Sequence, residues 1–295
     1  MQDAERDWPA RASSLARQLA GLDALELPLR PRVATARRLW SAAWPKLAAA
    51  AILLVVWELV VLSGWKPEYV LPGPAVVLPR LAEDLVHDDL LGAVAVTMRR
   101  AAVGFALALV VGTLIGLGLL GSKRLRVAVA SLITGLQTMP SIAWFPLAIL
   151  VFGLSEPAIL FVVVLGAAPA IANGLLAGVD TIPRTLLRAG RVLGARGWAR
   201  YRFVVLPAAL PGFVGGLKQG WAFAWRSLMA GELLVIIETQ QSIGVRLQFA
   251  REFADAPGLL SAMLVVLAIG IVVDVVFFGS LERAVRRRWG LAEPT

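Results

Sequence analysis

Long apolar runs constrain this chain more than any other feature. Runs of about twenty mostly apolar residues cover roughly Leu47–Ser63, Thr97–Leu120, Val127–Phe152, Pro157–Val179, Ala208–Ile237 and Gly258–Leu281. One helix crossing the hydrocarbon layer of a bilayer needs about 20 such residues. The runs are continuous and do not alternate over about ten residues, so they read as helices and not as barrel strands. Pro140 and Pro146 interrupt the third run. The expected fold class is an all-α membrane protein with about six transmembrane helices. Small residues recur at helical spacing: Gly112 and Gly116, Gly174 and Gly178, then Gly212, Gly216 and Gly220. Such faces let helix backbones approach closely in lipid.

Composition narrows the function. The 295 residues are 58% hydrophobic and 17% charged, with a formal net charge of +9. Soluble domains sit near 45–50% apolar and about 25% charged, so neither a soluble domain nor a disordered chain fits. Nucleic-acid binding would account for the basicity but not the apolarity. An integral membrane protein with basic cytoplasmic loops accounts for both. The chain has no cysteine, which removes thiolate metal sites, disulfides and cysteine nucleophiles. His87 is the only histidine; it reads as a loop residue, because no other ligands cluster near it. No carboxylate pair or nucleophile–base arrangement is visible, so no catalytic residue and no metal site is assigned. The chain is expected not to be an enzyme.

Basic residues set the orientation. Of the 29 Lys and Arg, 21 fall on one side: eight in residues 1–46, then Lys123, Arg124 and Arg126, six in residues 184–202, and Arg283, Arg286, Arg287 and Arg288. Both termini are therefore expected in the cytoplasm, and the stretch with Glu83, Asp84, Asp88 and Asp89 outside. The expected organisation is a basic cytoplasmic segment (1–46), a first transmembrane helix with an outer linker (47–92), a core of five transmembrane helices (93–282) and a basic cytoplasmic tail (283–295). Leu15, Leu19, Leu22 and Leu25 recur at three- and four-residue steps, which fits either an interfacial helix or a flexible tail. Trp44, Trp65 and Trp289 flank spans as an interfacial belt would.

The cytoplasmic loop 180–207, between the fourth and fifth spans, reads as two short helices. Pro183 suits a helix start, Gly194 suits the break, and Pro207 ends the second piece. Leu186, Leu187, Val192 and Leu193 could line an apolar docking face. This loop resembles the coupling loop of bacterial ABC importer permeases, whose pattern is Glu-Ala-Ala, three residues, Gly, nine residues, Ile, one residue, Leu-Pro. Ala189, Gly194, Leu206 and Pro207 match it, Val204 stands for the Ile, Gly190 for the second Ala and Arg188 for the Glu. The resemblance covers about residues 70–285. Leu71–Pro72–Gly73–Pro74, Met139 to Pro146, Phe152 to Glu156 and Ala224 to Glu232 are similar to the nitrate, sulfonate and taurine subfamily of the binding-protein-dependent inner-membrane family.

The resemblance implies the transmembrane permease subunit of an ATP-driven importer in the bacterial inner (plasma) membrane. Such a permease moves a small anionic solute (sulfonate, taurine, nitrate or similar) by alternating access. No P-loop is present: the nearest stretch, Gly116 to Lys123, has Ser122 at the lysine position. The chain is thus expected to hold no cofactor, with ATP and Mg on a partner ATPase present in two copies. A second permease copy forming a homodimer, an extracytoplasmic solute-binding protein and membrane lipid complete the implied partners; nucleic acid is not among them. The alternatives are a secondary ion-coupled transporter, a membrane-embedded enzyme or scaffold, and the same family carrying a vitamin precursor or aromatic acid.

Charges within spans are costly and face protein or water. Glu58, Arg226, Glu232 and Asp274 lie within runs, while Lys218 is nearer an end and could snorkel. Arg226 and Glu232 are six residues apart, hence on different helix faces, which makes Glu58 or Asp274 the candidate partner for Arg226. Arg226 either lines a translocation path, where its planar fork suits an oxyanion, or forms an interhelical ion pair. Gln137, Met139, Pro140, Ser141 and Trp144, beside the second proline, mark either a broken helix on that path or a packing kink. Glu232 joins them as a path candidate.

Overall fold

The computed structural model describes residues 35–87, 89–237 and 240–289. The leucine series from Leu15 to Leu25 lies outside them. The chain divides into two compact units, Met1–Val60 and Val61–Thr295. The described part of the first lies in a single helix, α1 (Thr35–Leu62), whose last two residues belong to the second. Its residues Trp44–Leu62 are long and apolar enough to cross a membrane, and Glu58 is half-buried on it.

The second unit's described secondary structure consists of helices joined by turns and short loops. In order it contains α2 (Pro74–His87), α3 (Leu90–Leu119), α4 (Lys123–Thr138), a 3-10 turn (Ser141–Trp144) and α5 (Phe145–Phe152). Then come α6 (Glu156–Asp180), α7 (Arg184–Val192), α8 (Gly197–Arg200), a π turn (Tyr201–Val205) and α9 (Leu206–Leu234). The chain ends in α10 (Ile243–Glu252), α11 (Ala256–Val272), a second π turn (Val273–Phe278) and α12 (Gly279–Arg288). Local chemistry sets several starts. Ser122, Ser242 and Asp255 accept hydrogen bonds from the N–H groups of Leu125, Val245 and Gly258, respectively, which satisfies donors that have no partner inside a first turn.

Helices form at all six expected spans, but they are not alike. Four meet the length and apolarity of a crossing helix: Trp44–Leu62, Leu90–Leu119, Glu156–Asp180 and the continuous Ala256–Arg288. The third expected span is bent by 97° between Arg124–Thr138 and Ser141–Phe152, as a broken span or re-entrant loop. The bend lies at Pro140 alone. Pro146 sits in the first turn of α5, where its missing N–H costs no helical bond, so the expected double interruption is a single one. The fifth expected span, α9, carries Lys218, Arg226 and Glu232 and is not among the four. A helix packed among other helices need not be uniformly apolar.

The core is built on α6. In its most apolar stretch 61% of residues are buried, against 28% for α3 and 11% for Ala256–Arg288. α3 lies along one side of α6 and α9 along another. The glycine series decides how close these helices come. A Cβ on Gly174 would overlap the Gly216 backbone, and one on Gly212 would overlap Gly178. On the other side a Cβ on Gly112 would fall 2.8 Å from the Ile171 Cβ. Ile159, Val162, Val163, Ile171 and Leu228 are fully buried around these contacts. Without a hydrophobic drive between helices in lipid, such close packing is a main source of association.

Gly216→Val is therefore expected to force α6 and α9 apart. The loss should exceed the ~1–3 kcal/mol usual for overpacking, because the obstructing atoms are backbone. Thermal unfolding of the detergent-solubilised chain would show a lowered midpoint or loss of the monodisperse species. Gly215→Val, whose Cβ would meet nothing within 4 Å, should unfold close to wild type.

Candidate functional site

The loop that attracted attention in sequence is an ordered helix pair. α7 ends at Val192 with Leu193 as its C-cap, and Gly194 follows with φ +84°, a left-handed conformation that glycine adopts without a Cβ clash. Buried Gly190 faces Val204: a Cβ there would lie 2.9 Å from a Val204 methyl. Two positions fourteen residues apart thus brace the pair. Pro207 does not end the second piece, contrary to expectation. It lies in the first turn of α9, directly after the π turn, so the chain is helical from Gly197 to Leu234. Leu187 packs inward with Ile182, Val205 and Ala209. Val192 and Leu193 are 87% and 86% exposed, and Trp198 and Phe203 are 73% and 69% exposed. Arg188 and Ala189 are also exposed.

A second feature is a cavity of about 290 Å³ where α4 breaks. Gln137, Met139, Pro140, Ser141 and Trp144 line it together with Arg226 and Phe223 of α9 and Gly166 of α6. The structure thus brings together every residue expected on a path except Glu232. Arg226 is exposed; its Nε donates to the Ala222 carbonyl at 3.1 Å, and its guanidinium lies 4.9 Å from the Phe223 ring centre. Asp274 is not its partner: Asp274 pairs with Lys218 at 3.1 Å. Lys218 therefore has an ion-pair partner instead of snorkelling alone. Glu58 lies in the other unit.

Glu232 belongs to a closed buried cluster. Its carboxylate accepts from the Arg100 Nη1 at 3.0 Å, the Thr97 hydroxyl at 2.9 Å and the Gly244 N–H at 3.1 Å. Thr97 in turn accepts from the Ile243 N–H, and Arg100 donates to the Gln240 amide oxygen at 3.2 Å. Arg100 and Glu232 are 1% and 0% exposed. Residues from α3, α9, α10 and the segment between the last two are joined here. Sequence reasoning assigned no role to Arg100. The available signal was a pair of arginines, Arg99 and Arg100, inside an apolar run. Asp84 likewise had no assigned role beyond its place in the outer acidic stretch. It is buried, accepting from Ser261 at 2.8 Å and pairing with Arg80, which ties α2 to α11.

Residues 105–288 match the family described as the binding-protein-dependent transport system inner membrane component. The chain belongs to that family. The taurine transport system permease protein TauC of Escherichia coli is 28% identical over 76% of this chain and 82% of its own. The riboflavin transport system permease protein RibX of Chloroflexus aurantiacus is 32% identical over 87% and 94%, respectively. A solved chain of the MetNI methionine ABC transporter superposes with a TM-score of 0.55 at 20% identity, covering 64% of this chain and 92% of that chain. The protein is thus an all-helical ABC importer permease, a membrane transport subunit of a family that works with ATPase subunits.

In this inner-membrane permease the buried ion pair has a measurable consequence. Arg100→Leu leaves the Glu232 carboxylate buried without its counter-charge, which costs about 3–5 kcal/mol in comparable cases. Thr97 and Gly244 still donate to it, so the lower end of that range is expected. Glu232→Gln leaves the permanently charged Arg100 buried without its counter-charge, and a single amide oxygen cannot serve both Arg100 and the Thr97 and Gly244 donors, so a similar cost is expected. Thermal unfolding in nanodiscs should place the midpoints of both variants well below wild type.

Proposed function

We propose that the helix pair Arg184–Arg202 docks into a partner ATPase subunit and passes its closure to the membrane helices through α9. One observation carries the reading. A segment with six arginines exposes Val192, Leu193, Trp198 and Phe203. Apolar side chains amid charges, braced from behind by Gly190 and Val204, form the kind of face that another protein covers. The continuous helix from Gly197 to Leu234 offers a mechanical route, since a push on α8 reaches the Arg226 cavity and the Glu232 cluster along one helix.

On this reading the complete importer holds two ATPase subunits, where ATP and Mg are bound and hydrolysed. A second copy of the permease completes a central path, and an extracytoplasmic binding protein delivers solute. Both termini lie in the cytoplasm, on the side of the basic loops. The path alternates between inward and outward access, and ATP shifts that balance only as far as the two states bind the ATPases differently. The cargo is a small anion. The name of the relative TauC and Arg226, the one cation among the described residues lining the cavity, both favour that class. Arg188, where the family pattern has Glu, places a positive charge on the docking face and calls for a partner cleft with acidic residues.

Leu193→Asp should abolish recovery of the ATPase in a pulldown while leaving the permease folded, because Leu193 is 86% exposed. Arg188→Glu should weaken that recovery more at low salt than at high salt, since exposed charges are screened over about 10 Å at 0.1 M salt. Undiminished ATPase recovery by Leu193→Asp would count against the docking reading.

A further inference from the structure

The geometry points to a binding site for a small oxyanion in the cavity at the α4 break, gripped by the guanidinium of Arg226 and the amide of Gln137. The inference deepens the import reading and rests on it: it assigns the anionic head of the cargo to named donors.

Charge comes first. Among the described residues no acidic side chain lines the cavity, and Arg226 is the one charged side chain in its lining. Among the described residues Arg226 has no carboxylate partner, and only its Nε is occupied, by the Ala222 carbonyl. Both terminal amino groups, with four N–H donors, remain for a ligand. The bond at Nε and the Phe223 ring at 4.9 Å hold the plane of the fork. A planar fork matches two oxygens of a carboxylate, nitrate or sulfonate, which a lysine cannot do.

The second donor follows from hydrogen-bond accounting. The Gln137 amide oxygen accepts from Asn173 Nδ2 at 3.2 Å. That bond orients the side-chain amide and leaves its NH₂ group, a pure donor, without a protein acceptor among the described residues. Gln137 therefore offers the cavity N–H groups, the polarity that an anion needs. Ser141 lines the same cavity. Two donor groups on α4 and α9 thus face one space, and most of the remaining wall is apolar or aromatic, with Met139, Trp144 and Phe223, while the hydroxyl of Thr138, also in the lining, donates to the Gly135 carbonyl at 2.8 Å.

Size limits the class. About 290 Å³ is at the low end of small-molecule sites, which span about 300–1,000 Å³. The site suits an oxyanion on a short apolar body more than a large ring system. Position suits transport as well, because the wall is partly the end of a broken helix and partly α9, the helix continuous with the docking pair.

The test uses the full-length chain in nanodiscs and isothermal titration with nitrate, methanesulfonate and benzoate, and with dimethyl sulfone as the uncharged analogue of methanesulfonate. Wild type should bind at least one anion saturably and dimethyl sulfone far more weakly. Arg226→Gln should raise the Kd for that anion by about tenfold or more, as expected for loss of charge-assisted hydrogen bonds. Arg226→Lys should fall between, keeping the charge but losing the fork. Gln137→Leu should weaken binding by a smaller factor and serves as the test should Arg226→Gln fail to fold. The site is overturned if no anion binds wild type, if dimethyl sulfone binds as well as methanesulfonate, or if the folded variants bind like wild type. Pulldown of the ATPase separates the two readings. Recovered ATPase with unchanged anion binding in Arg226→Gln overturns the site alone. An anion site in a chain that recruits no ATPase overturns the coupling reading alone.

Discussion

The rest of the second unit depends on backbone contact between α6 and α9. Gly174 meets Gly216 and Gly178 meets Gly212 so closely that a single Cβ on either side would overlap main chain. Burying apolar surface gives no drive between helices already dissolved in lipid, so dispersion at short range must hold them. Once the two helices are locked, α9 has little freedom to rotate. Its Arg226 face is turned to the cavity and its Glu232 face to the buried cluster. A helix tightly clasped in its middle transmits displacement along its axis better than a loosely packed one, which suits a helix joined directly to the docking pair.

Two charged groups on α9 have opposite fates. Glu232 is buried and fully engaged, by Arg100, Thr97 and the Gly244 N–H. A buried pair of this kind is weak support for stability by itself, but breaking one half is costly. The cluster fastens α3 to the end of α9 and the start of α10. Arg226, six residues earlier, has no such partner among the described residues, and none of those lining its cavity is a carboxylate. One charge holds the frame, and the other is left available to a ligand.

The helix pair outside the span region shows a similar division. Gly190 and Val204 meet inside it, while Val192, Leu193, Trp198 and Phe203 face outward. Where the family pattern has Ala and Ile, this chain has the smaller Gly and Val at the same two positions. A Cβ at Gly190 would stand 2.9 Å from a Val204 methyl, so here the absence of a side chain at position 190 lets Val204 approach. Pro207, which sequence spacing placed at the end of the pair, instead opens α9 after a π turn. Wider i to i+5 bonding at that turn accommodates a residue without an N–H while the helix axis continues.

Much of the architecture was legible in the sequence because it rests on local chemistry. Apolar run length marked the helices, proline marked the break at Pro140, and glycine spacing marked the faces that pack. Gly194 was readable as a break because few other residues tolerate its backbone angle. Arg226 and Glu232 were separable by helical geometry alone. The pairings were not legible, because they join residues distant in the chain. Arg100 meets Glu232 across 132 positions and Ser261 meets Asp84 across 177, and no spacing rule links such positions. For the same reason only the tertiary structure could show that Asp274 belongs to Lys218, that Glu232 is sealed away from the cavity, and that Gln137 and Arg226 face the same space. The sequence by itself determined the apolar helices and the break at Pro140, while α2 and α10, which lie outside the apolar runs, emerged only in the structure. Which charges were spent on holding the helices together, and which one was left for a ligand, depended on contacts that exist only once the helices have packed.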